Sequence, residues 1–309
     1  MIDIFLQTMP FFALIALGYG AGAWGFFSAE ATAYLTKFVF YFALTAMILQ
    51  FSANLSLAQV FDLNFVLAYL AASFTIYAIA MTVAVMRGIG WAEAAVEAQC
   101  AVIGNVGFLG IPMLALLLGE AAIGPVIMVI SIDLMVFSSL IVIVITLARQ
   151  GHLSAAIFKS VALGVVKNPM IVSIVAGFAY AATGWSIPVP VNSFLTLLGA
   201  AATPCALFAI GASLAEKSAE RISVAGWLSF CKLALHPAAV AISALWLFDV
   251  DPFAAKVMVA SAALPVAGNV YILAQHYGVA PQRVSASILI STLVSVLTLS
   301  LVIAWATAV

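Results

Sequence analysis

Continuous apolar runs of about 20 residues follow one another along the whole chain, and no other feature restricts the fold so strongly. Such runs cross a bilayer as α-helices, because a membrane β-barrel has short segments of alternating polarity instead. The composition fits this class, since 66% of the 309 residues are hydrophobic and only 7% are charged. We therefore predict an all-α membrane protein. The formal net charge of −1 favours no nucleic-acid partner.

Polar and glycine-containing segments divide the apolar runs into about ten predicted transmembrane helices, which we call spans one to ten. Their approximate bounds are 2–24, 31–51, 63–87, 93–118, 121–148, 167–185, 192–215, 221–248, 253–276 and 282–307. The longest connection, 149–166, separates two halves of five spans each, 2–148 and 167–307. Because five is odd, a duplicated unit would lie upside down relative to its copy.

Short sequence matches between the two halves favour such an inverted duplication. In the first span Gly18 follows Pro10 at the same spacing at which Gly177 follows Pro169 in the sixth span. A Gly-Asn-Val triplet occurs in the fourth span and again in the ninth. Because the matches occur in the same order in both halves, we predict two inverted five-helix repeats.

Basic residues indicate which side of the membrane each connection faces. Most of them fall in or beside the odd-numbered connections, namely Arg87, Arg149, Lys159, Lys167, Lys217, Arg221 and Arg283. Lysine and arginine are enriched in cytoplasmic connections. The odd-numbered connections, including 149–166, are therefore predicted to be cytoplasmic, and both termini are predicted to lie outside.

Two spans are interrupted by glycine, proline and a central asparagine at matching places in the two halves. The fourth span contains GNVGFLGIP (104–112), and the ninth span contains PVAGNVY (265–271). A helix broken within lipid leaves backbone groups unpaired, which is tolerated only where protein or a water-filled cavity meets them. Paired breaks of this kind are the best sequence indication of the substrate site of a secondary transporter.

We predict that the two breaks meet and bind an anionic substrate such as a carboxylate. The N-termini of half-helices present free N–H groups and partial positive charge, and asparagine amides add hydrogen-bond donors. Glycine allows close backbone approach, and proline removes hydrogen bonds within a helix. The candidate substrate-binding residues at the breaks are Asn105, Asn269, Gly104, Gly107, Gly268, Pro112 and Pro265. The alternative role of each asparagine is a hydrogen bond between helices.

Thr45 in the second span and Thr203 in the seventh are two further candidates for substrate binding. Each hydroxyl could bond the substrate or a backbone carbonyl of its own helix, and the second role is the usual one for a membrane threonine. Pro204, which follows Thr203, predicts a kink in the seventh span.

Ionisable residues inside the spans are candidates for coupling transport to a second ion. Asp133 lies in the middle of the fifth span, and Lys232 lies about halfway along the eighth. Because a charge at the bilayer centre costs at least about 2.5–3.5 kcal/mol, such residues usually pair and carry function. Three interpretations stay open: a structural ion pair, a site where Asp133 takes up a proton while Lys232 keeps the charge balance, or a residue that faces a water-filled cavity unpaired. His236, one turn after Lys232, could relay protons or bond a neighbouring helix, and Glu97 could guard the inner entrance.

The sequence contains no pattern that indicates an enzyme, a cofactor or a metal site. It has no His-Glu-x-x-His zinc motif and no phosphate-binding loop. The glycines of the fourth span are not part of a nucleotide-binding motif, because no βαβ unit surrounds them.

Four stretches, in order, resemble the auxin efflux carrier family, specifically its compact bacterial members. They are GNVGFLGIP (104–112), TPCALFAIG (203–211), KLALHP (232–237) and ALPVAGNVY (263–271). The resemblance covers essentially the whole chain, although the chain lacks the long hydrophilic central loop of the long plant auxin carriers. Thr45 stands where many relatives have a proline, so the second helix is expected to be straighter here.

This resemblance implies about ten helices in two inverted five-helix repeats with broken, crossing fourth and ninth helices, as in bile-acid sodium symporters. Spans one, two, six and seven would form a scaffold that carries a homodimer contact. The other six spans would form a transport domain that contains the crossing. By this resemblance, Asn105 and Asn269 lie where the two broken helices cross, and Lys232 corresponds to the lysine of the family's eighth helix. Asp133 is the expected neighbour of Lys232.

The resemblance also implies a secondary transporter of small organic anions in the bacterial inner membrane, working by elevator-type alternating access. Related carriers move auxin, malonate or malate, and the sequence does not choose among such acids or between import and export. Proton coupling or potential-driven uniport is favoured over sodium coupling, because Lys232 could stand where a cation would otherwise sit. The alternatives are an anion-sensing membrane receptor and an anion channel.

Overall fold

The computed structural model describes residues 2–55, 61–150, 155–215 and 222–308. Within these ranges the chain is helical and forms no β-strand beyond one isolated bridge, which confirms the all-α prediction. The helices are α1 (Ile2–Ala23), α2 (Ala29–Ala53), α3 (Leu63–Met86), α4 (Trp91–Val102), α5 (Val106–Leu118), α6 (Glu120–Arg149), α7 (Ala155–Lys167), α8 (Pro169–Ala181), α9 (Val189–Ala215), α10 (Ile222–Leu247), α11 (Pro252–Ala262), α12 (Gly268–Tyr277) and α13 (Pro281–Ala308).

Six of the described helices are long and apolar enough to cross a membrane, namely α2, α3, α6, α9, α10 and α13. A seventh crossing results if α7 and α8, which meet at a bend of 63°, form one span. The three remaining predicted spans coincide with α1, with α4 and α5, and with α11 and α12, which are shorter helices or helices divided by a break. The helices fit a multi-pass membrane protein, and the count of ten stays a prediction.

Side-chain caps explain where several helices begin. The first free N–H groups of α2, α3, α8 and α11 donate to the side chains of Ser28, Asp62, Asn168 and Asp251. Such caps satisfy backbone donors that would otherwise have no partner at the start of a helix. Between α5 and α6, Gly119 makes the short turn with a φ of 87°, which glycine adopts without strain.

The helices pack as two groups. In the first group, α1 runs along the second half of α9, and the second half of α2 contacts both α8 and the first half of α9. In the second group, α4 contacts α3 and α6, while α10 contacts α3, α11 and α13. The two groups meet where α1 contacts α13 and where α9 contacts the first turn of α5. The helix α7 contacts both α6 and α8, so it connects the groups.

Glycines allow the closest helix contacts of the first group. A Cβ atom at Gly18 of α1 would overlap the Phe208 carbonyl oxygen of α9, and one at Gly211 of α9 would overlap a carbonyl oxygen of α1. A Cβ atom at Gly177 of α8 would lie 2.5 Å from the Ser52 Cβ of α2. Gly18 and Gly177 occupy matching positions in the two halves of the sequence. They also make matching contacts, because one joins the first span to the seventh and the other joins the sixth to the second.

Much of the segment 149–166, expected as a connecting loop, is helical. It contains all of α7 except its last residue, Lys167, while residues 151–154 lie outside the described residues, as do Lys217 and Arg221. Asn168 separates α7 from α8, which begins at Pro169, because a residue before proline avoids the helical conformation and proline has no N–H group to donate. The connection between the halves is therefore a short helix that bends sharply into the next one.

A cluster of four charged side chains joins the ends of α3, α4 and α13. Glu97, only 1% exposed, accepts hydrogen bonds from Arg87 and, at 2.9 Å, from Arg283. Arg283 also lies 3.0 Å from Glu93. Both carboxylate oxygens of Glu97 bind arginines of its own helix group, which favours a structural role over guarding an entrance.

Candidate substrate site

The breaks in the predicted fourth and ninth spans lie against each other. The helix α4 gives way to α5 at residues 103–105, and α11 gives way to α12 at residues 263–267. Two backbone hydrogen bonds join these segments, from the Asn105 N–H to the Pro265 oxygen (2.8 Å) and from the Ala267 N–H to the Ile103 oxygen (3.1 Å). Between them, Gly104 and Val266 form an antiparallel bridge. We call these two joined segments the crossing.

The crossing shows how a helix can break within an apolar bundle. Each broken segment supplies hydrogen-bond partners for backbone groups that the other has lost, as the bilayer requires. The Val266 N–H, also at the break, donates to the Ser291 hydroxyl of α13 at 3.1 Å. The structure therefore brings the two breaks together and supports them from a third helix.

The helices α5 and α12 begin at the crossing, and no side chain caps either start. Gly268, the first residue of α12, is exposed, and a Cβ atom there would meet nothing within 4 Å. Unpaired N–H groups at a helix start carry partial positive charge and bind anions. The crossing therefore presents an electropositive surface with room beside it.

The two asparagines flank this surface. Asn105 is 7% exposed, and Asn269 is half-buried. The Oδ1 atom of Asn269 is buried and has no hydrogen-bond partner among the described residues. Rotating the amide by half a turn exchanges its oxygen and NH₂ group, so either of them can occupy this position. A hydrogen bond between helices, the alternative role, is not made by this atom.

Lys232 of α10 lies directly beside the crossing and is fully buried. A Cβ atom at Gly104 would lie 3.2 Å from its Cε and 3.3 Å from its Nζ, so any other residue here would have to displace the end of the lysine slightly. The Lys232 ammonium donates to the Ala262 carbonyl at the end of α11. A positive charge at a helix C-terminus is favourable, because the carbonyl groups there carry partial negative charge.

Buried hydrogen bonds extend from Lys232 through α10 to α3 and connect α3 to α6. The His236 Nδ1 lies 3.2 Å from the Lys232 Nζ, and its Nε2 lies 2.9 Å from the Ser73 hydroxyl. The Tyr69 hydroxyl donates to the Asp133 Oδ1 at 2.9 Å. Tyr69 and Ser73 lie one turn apart on α3, and their side chains interact. None of these five side chains is more than 3% exposed.

Asp133 and Lys232 interact electrostatically but do not form a direct ion pair. The ion pairs among the described residues involve other side chains, namely Arg87, Arg283, Glu93 and Glu97. Asp133 begins the π-helical turn Asp133–Phe137 of α6, and Lys232 lies in the π-helical turn Cys231–Leu235 of α10. Single π-helical turns are frequent at functional sites. The direct ion pair of the structural interpretation is therefore not formed, and the coupling role stays a prediction.

Thr45 bonds its own backbone, which is the usual role of a membrane threonine. Its hydroxyl donates to the Phe40 carbonyl at 2.8 Å, next to the π-helical turn Val39–Ala43. This turn makes α2 irregular although the expected proline is absent. In α9 the helix is interrupted at Ala201, close to Pro204 as predicted, and Thr203 is half-buried beside the interruption.

The last two candidate positions lie in the first turns after the break in the fourth span. A Cβ atom at Gly107 would lie 2.7 Å from the Met170 Cε of α8 and 3.1 Å from the Ile130 Cδ1 of α6. Glycine at this position lets the start of α5 pack closely against both helix groups. Pro112 lies in the first turn of the segment Ile111–Leu118, where its missing N–H costs little.

Two open grooves of about 310 Å³ each run along α10 and α13. Apolar side chains make up most of their linings, with Leu233 and Ala234 common to both. Such grooves suit lipid chains and not an anion, so neither is the candidate substrate site.

Sequence reasoning missed Tyr69, Ser73 and Ser291. The only signal for the first two is their spacing of four residues within an otherwise apolar helix, which places them on one face. Their partners come from α6 and α10, which lie far away in the sequence.

Comparison with known proteins identifies the family to which the chain belongs. A profile of the family described as "Membrane transport protein" matches residues 3–303. A protein of Rhizobium meliloti (strain 1021) named "Putative malonate transporter" is 31% identical over 306 residues, which cover 97% of this chain and 95% of that protein. These matches include both the crossing and the buried side chains behind it, and they identify a transporter and not an enzyme. The chain therefore belongs to the membrane transport protein family, the auxin efflux carrier family that its four motifs resemble.

Proposed function

We propose that the protein is a secondary active transporter of small organic anions and that the anion binds at the crossing. The observation that carries this proposal is the meeting of two uncapped helix starts beside Asn105, Asn269 and the buried Lys232. These groups make the crossing electropositive within apolar surroundings, where electrostatic attraction is strong. The name of the Rhizobium meliloti relative favours malonate as the first substrate to test.

The position of Lys232 favours an anion accompanied by protons, or an anion alone, over an anion accompanied by sodium. Its ammonium group lies beside Gly104 and bonds the Ala262 carbonyl. A sodium ion near the crossing would need such carbonyl oxygens and would be repelled by the ammonium group. Asp133, whose second carboxylate oxygen has no hydrogen-bond partner among the described residues, is the candidate proton acceptor.

We further propose an elevator mechanism within two inverted five-helix repeats, 2–148 and 167–307. The group α1, α2, α8 and α9 would be the static scaffold, and the other membrane helices would move as the transport domain. The matching contacts of Gly18 and Gly177 support the inverted repeat, and the separate packing of the two helix groups supports the division.

The contacts between the two groups near the crossing fit such a motion. Phe40 of α2 stacks on Phe108 of α5 with ring centroids 6.4 Å apart and planes 5° apart. Gly107 approaches Met170 of α8 at the same turn of α5. An anion at the crossing would therefore lie close to the boundary between scaffold and transport domain, and these contacts would slide or separate during transport.

We place the protein in the bacterial inner membrane as a homodimer, with both termini outside. Arg149 donates to the Tyr277 carbonyl near the start of α13, and Arg87 and Arg283 share Glu97. Basic residues of the third, fifth and ninth connections are thus near one another in the folded chain, as expected if these connections share the cytoplasmic side. The scaffold would carry the dimer contact.

Counterflow in proteoliposomes tests the proposed function. Vesicles loaded with unlabelled malonate should accumulate radiolabelled malonate transiently above its outside concentration, because a carrier exchanges substrate across the membrane. Asn105→Ala and Asn269→Ala should each abolish this exchange and leave the protein folded, since they remove amide donors and no apolar packing. Asn192→Ala, on the first half of α9, is a control with the same chemical change away from the crossing.

Each alternative function gives a different result. A receptor that only senses the anion binds malonate and shows no counterflow, and a channel equilibrates the label without overshoot. Wild-type exchange in either asparagine variant would remove the crossing from the binding site.

A further inference from the structure

We propose that Tyr69 and Ser73 connect Asp133 to His236 and Lys232 as one buried proton-transfer chain, so that each anion is carried together with a proton held on Asp133. This inference rests on the proposed function. It assigns roles to two residues that contact neither the crossing nor the anion, and it specifies how protons reach Asp133.

The hydrogen-bond directions are consistent along the chain. The Lys232 ammonium can only donate, so it donates to the His236 Nδ1 at 3.2 Å. The His236 Nε2 then carries a hydrogen and donates to the Ser73 hydroxyl at 2.9 Å. The Tyr69 hydroxyl interacts with Ser73 and donates to the Asp133 Oδ1 at 2.9 Å. Ser73 and Tyr69 lie one turn apart on α3, and a hydrogen bond from the Ser73 hydroxyl to the Tyr69 oxygen would complete a chain that points from Lys232 towards Asp133.

This common direction allows a proton to pass without leaving a charge in the middle. Lys232 gives a proton to the His236 Nδ1 while the Nε2 proton moves to Ser73. The Ser73 proton moves to the Tyr69 oxygen, and the Tyr69 proton moves to Asp133. His236, Ser73 and Tyr69 each gain one proton and lose one, so they stay neutral. The result is a neutral lysine and a protonated aspartate, and a proton from the crossing then restores the ammonium group.

The charge balance explains why the proton accompanies the anion. In the empty protein, Lys232 is positive and Asp133 negative, so the buried set is neutral. When an anion binds, one proton enters by way of Lys232 and moves to Asp133, which offsets one negative charge of the loaded transporter. Burying an uncompensated charge would be costly at this depth.

Few other ionisable groups face the chain. Asp133 of α6 faces Tyr69 of α3 and Lys232 of α10, while Lys232 faces His236 of its own helix and Asp133. From α11, the Ala262 carbonyl accepts from the Lys232 ammonium and also interacts with His236. Among the described residues, the arginines pair with Glu93 and Glu97 and not with Asp133. The proton path is therefore set by these five side chains.

The test measures protons and malonate entering the same proteoliposomes, with a trapped pH indicator and radiolabelled malonate. We expect about one proton to enter the wild-type vesicles with each malonate, as the proposed stoichiometry requires. Protons that bind to free malonate in solution are subtracted from this ratio. Tyr69→Phe removes only the hydroxyl, so this ratio should fall close to zero and a pH gradient should no longer drive accumulation. Counterflow at equal pH, which needs no net proton movement, reports whether the variant is folded and still carries malonate.

Tyr77→Phe is the matched control. Tyr77 lies two turns further along α3, is also buried, and its hydroxyl has no hydrogen-bond partner among the described residues. Its removal should leave the proton-to-malonate ratio unchanged. Ser73→Ala provides a second break in the chain and decides the matter if Tyr69→Phe does not fold.

The outcomes separate this inference from the proposed function. The proton chain is supported if Tyr69→Phe or Ser73→Ala still shows counterflow but has a proton-to-malonate ratio close to zero. The ratio of Tyr77→Phe must at the same time stay unchanged. Wild-type coupling in both Tyr69→Phe and Ser73→Ala, or malonate exchange without protons in the wild type, overturns the chain and leaves the transporter intact. Absence of counterflow in the wild type defeats the proposed function itself.

Discussion

Replacing Lys232 by methionine should reduce malonate uptake about a hundredfold. A unit charge acting over about 6 Å at an effective dielectric constant of about 20 contributes roughly 3 kcal/mol, which corresponds to that factor in affinity. Lys232 is the fully buried positive charge beside Gly104, so its removal takes away much of the attraction for an anion at the crossing. The initial rate of labelled malonate uptake into proteoliposomes measures the effect.

The lysine variant also leaves the Asp133 carboxylate buried without a compensating charge, which costs about 3–5 kcal/mol where both groups are buried. We therefore expect Lys232→Met alone to be less stable. Combining it with Asp133→Asn should restore the melting temperature but not the uptake. Lys256→Met, the same change at a half-buried position on α11, is the control and should transport normally. A stable double variant with near-normal uptake would show that the lysine charge does not attract the substrate.

Gly18→Ala and Gly211→Ala should each destabilise the protein strongly, by about 3 kcal/mol, because overpacking against a rigid backbone cannot relax easily. In both cases the added methyl group would overlap a carbonyl oxygen of the opposite helix, Phe208 or Ile15. The helices α1 and α9 would have to separate along their whole contact. Poor yield of folded protein and a large fall in melting temperature are the expected results.

Gly20→Ala is the matched control, since it lies two residues from Gly18 on the same helix. A Cβ atom there would meet nothing within 4 Å. Alanine also favours the helix by about 0.5–1 kcal/mol relative to glycine, so this variant should be as stable as the wild type or more stable.

A thiol-reactive dye measures unfolding directly, because Cys100 and Cys231 are buried in the fold. Equal melting temperatures for Gly18→Ala and Gly20→Ala would contradict the close packing of α1 on α9.

The sequence predicted the breaks in the helices well, because lipid imposes a strict rule on backbone hydrogen bonds. Glycine, proline and asparagine can interrupt an apolar helix only where partners exist, and the breaks lie where the sequence motifs are. That the two segments bond each other at Asn105 and Ala267 follows from three-dimensional packing, which local motifs do not specify. The connection 149–166 was harder to predict. The helix α7 contains Lys159 and Lys167, which are typical of a polar connecting loop, although most of its residues are apolar.

The buried chain behind the crossing could be predicted only in part. Asp133, Lys232 and His236 stand out because charged and ionisable residues are rare in apolar spans. Tyr69 and Ser73 do not stand out, since α3 is apolar on all sides and the sequence does not show which of its faces is buried. The sequence also does not show whether Asp133 and Lys232 form a direct ion pair. In the structure they do not, and Tyr69 and Ser73 of α3 lie between them.

The central claim is that an organic anion binds where the two broken helices cross. An electron cryo-microscopy map of the purified protein with saturating malonate tests this claim most directly, with binding confirmed in the same sample by calorimetry. We predict density for malonate at the first turns of α5 and α12, within about 3 Å of the amide of Asn105 or Asn269. Bound malonate at any other place, with both amides free of it, would contradict the account.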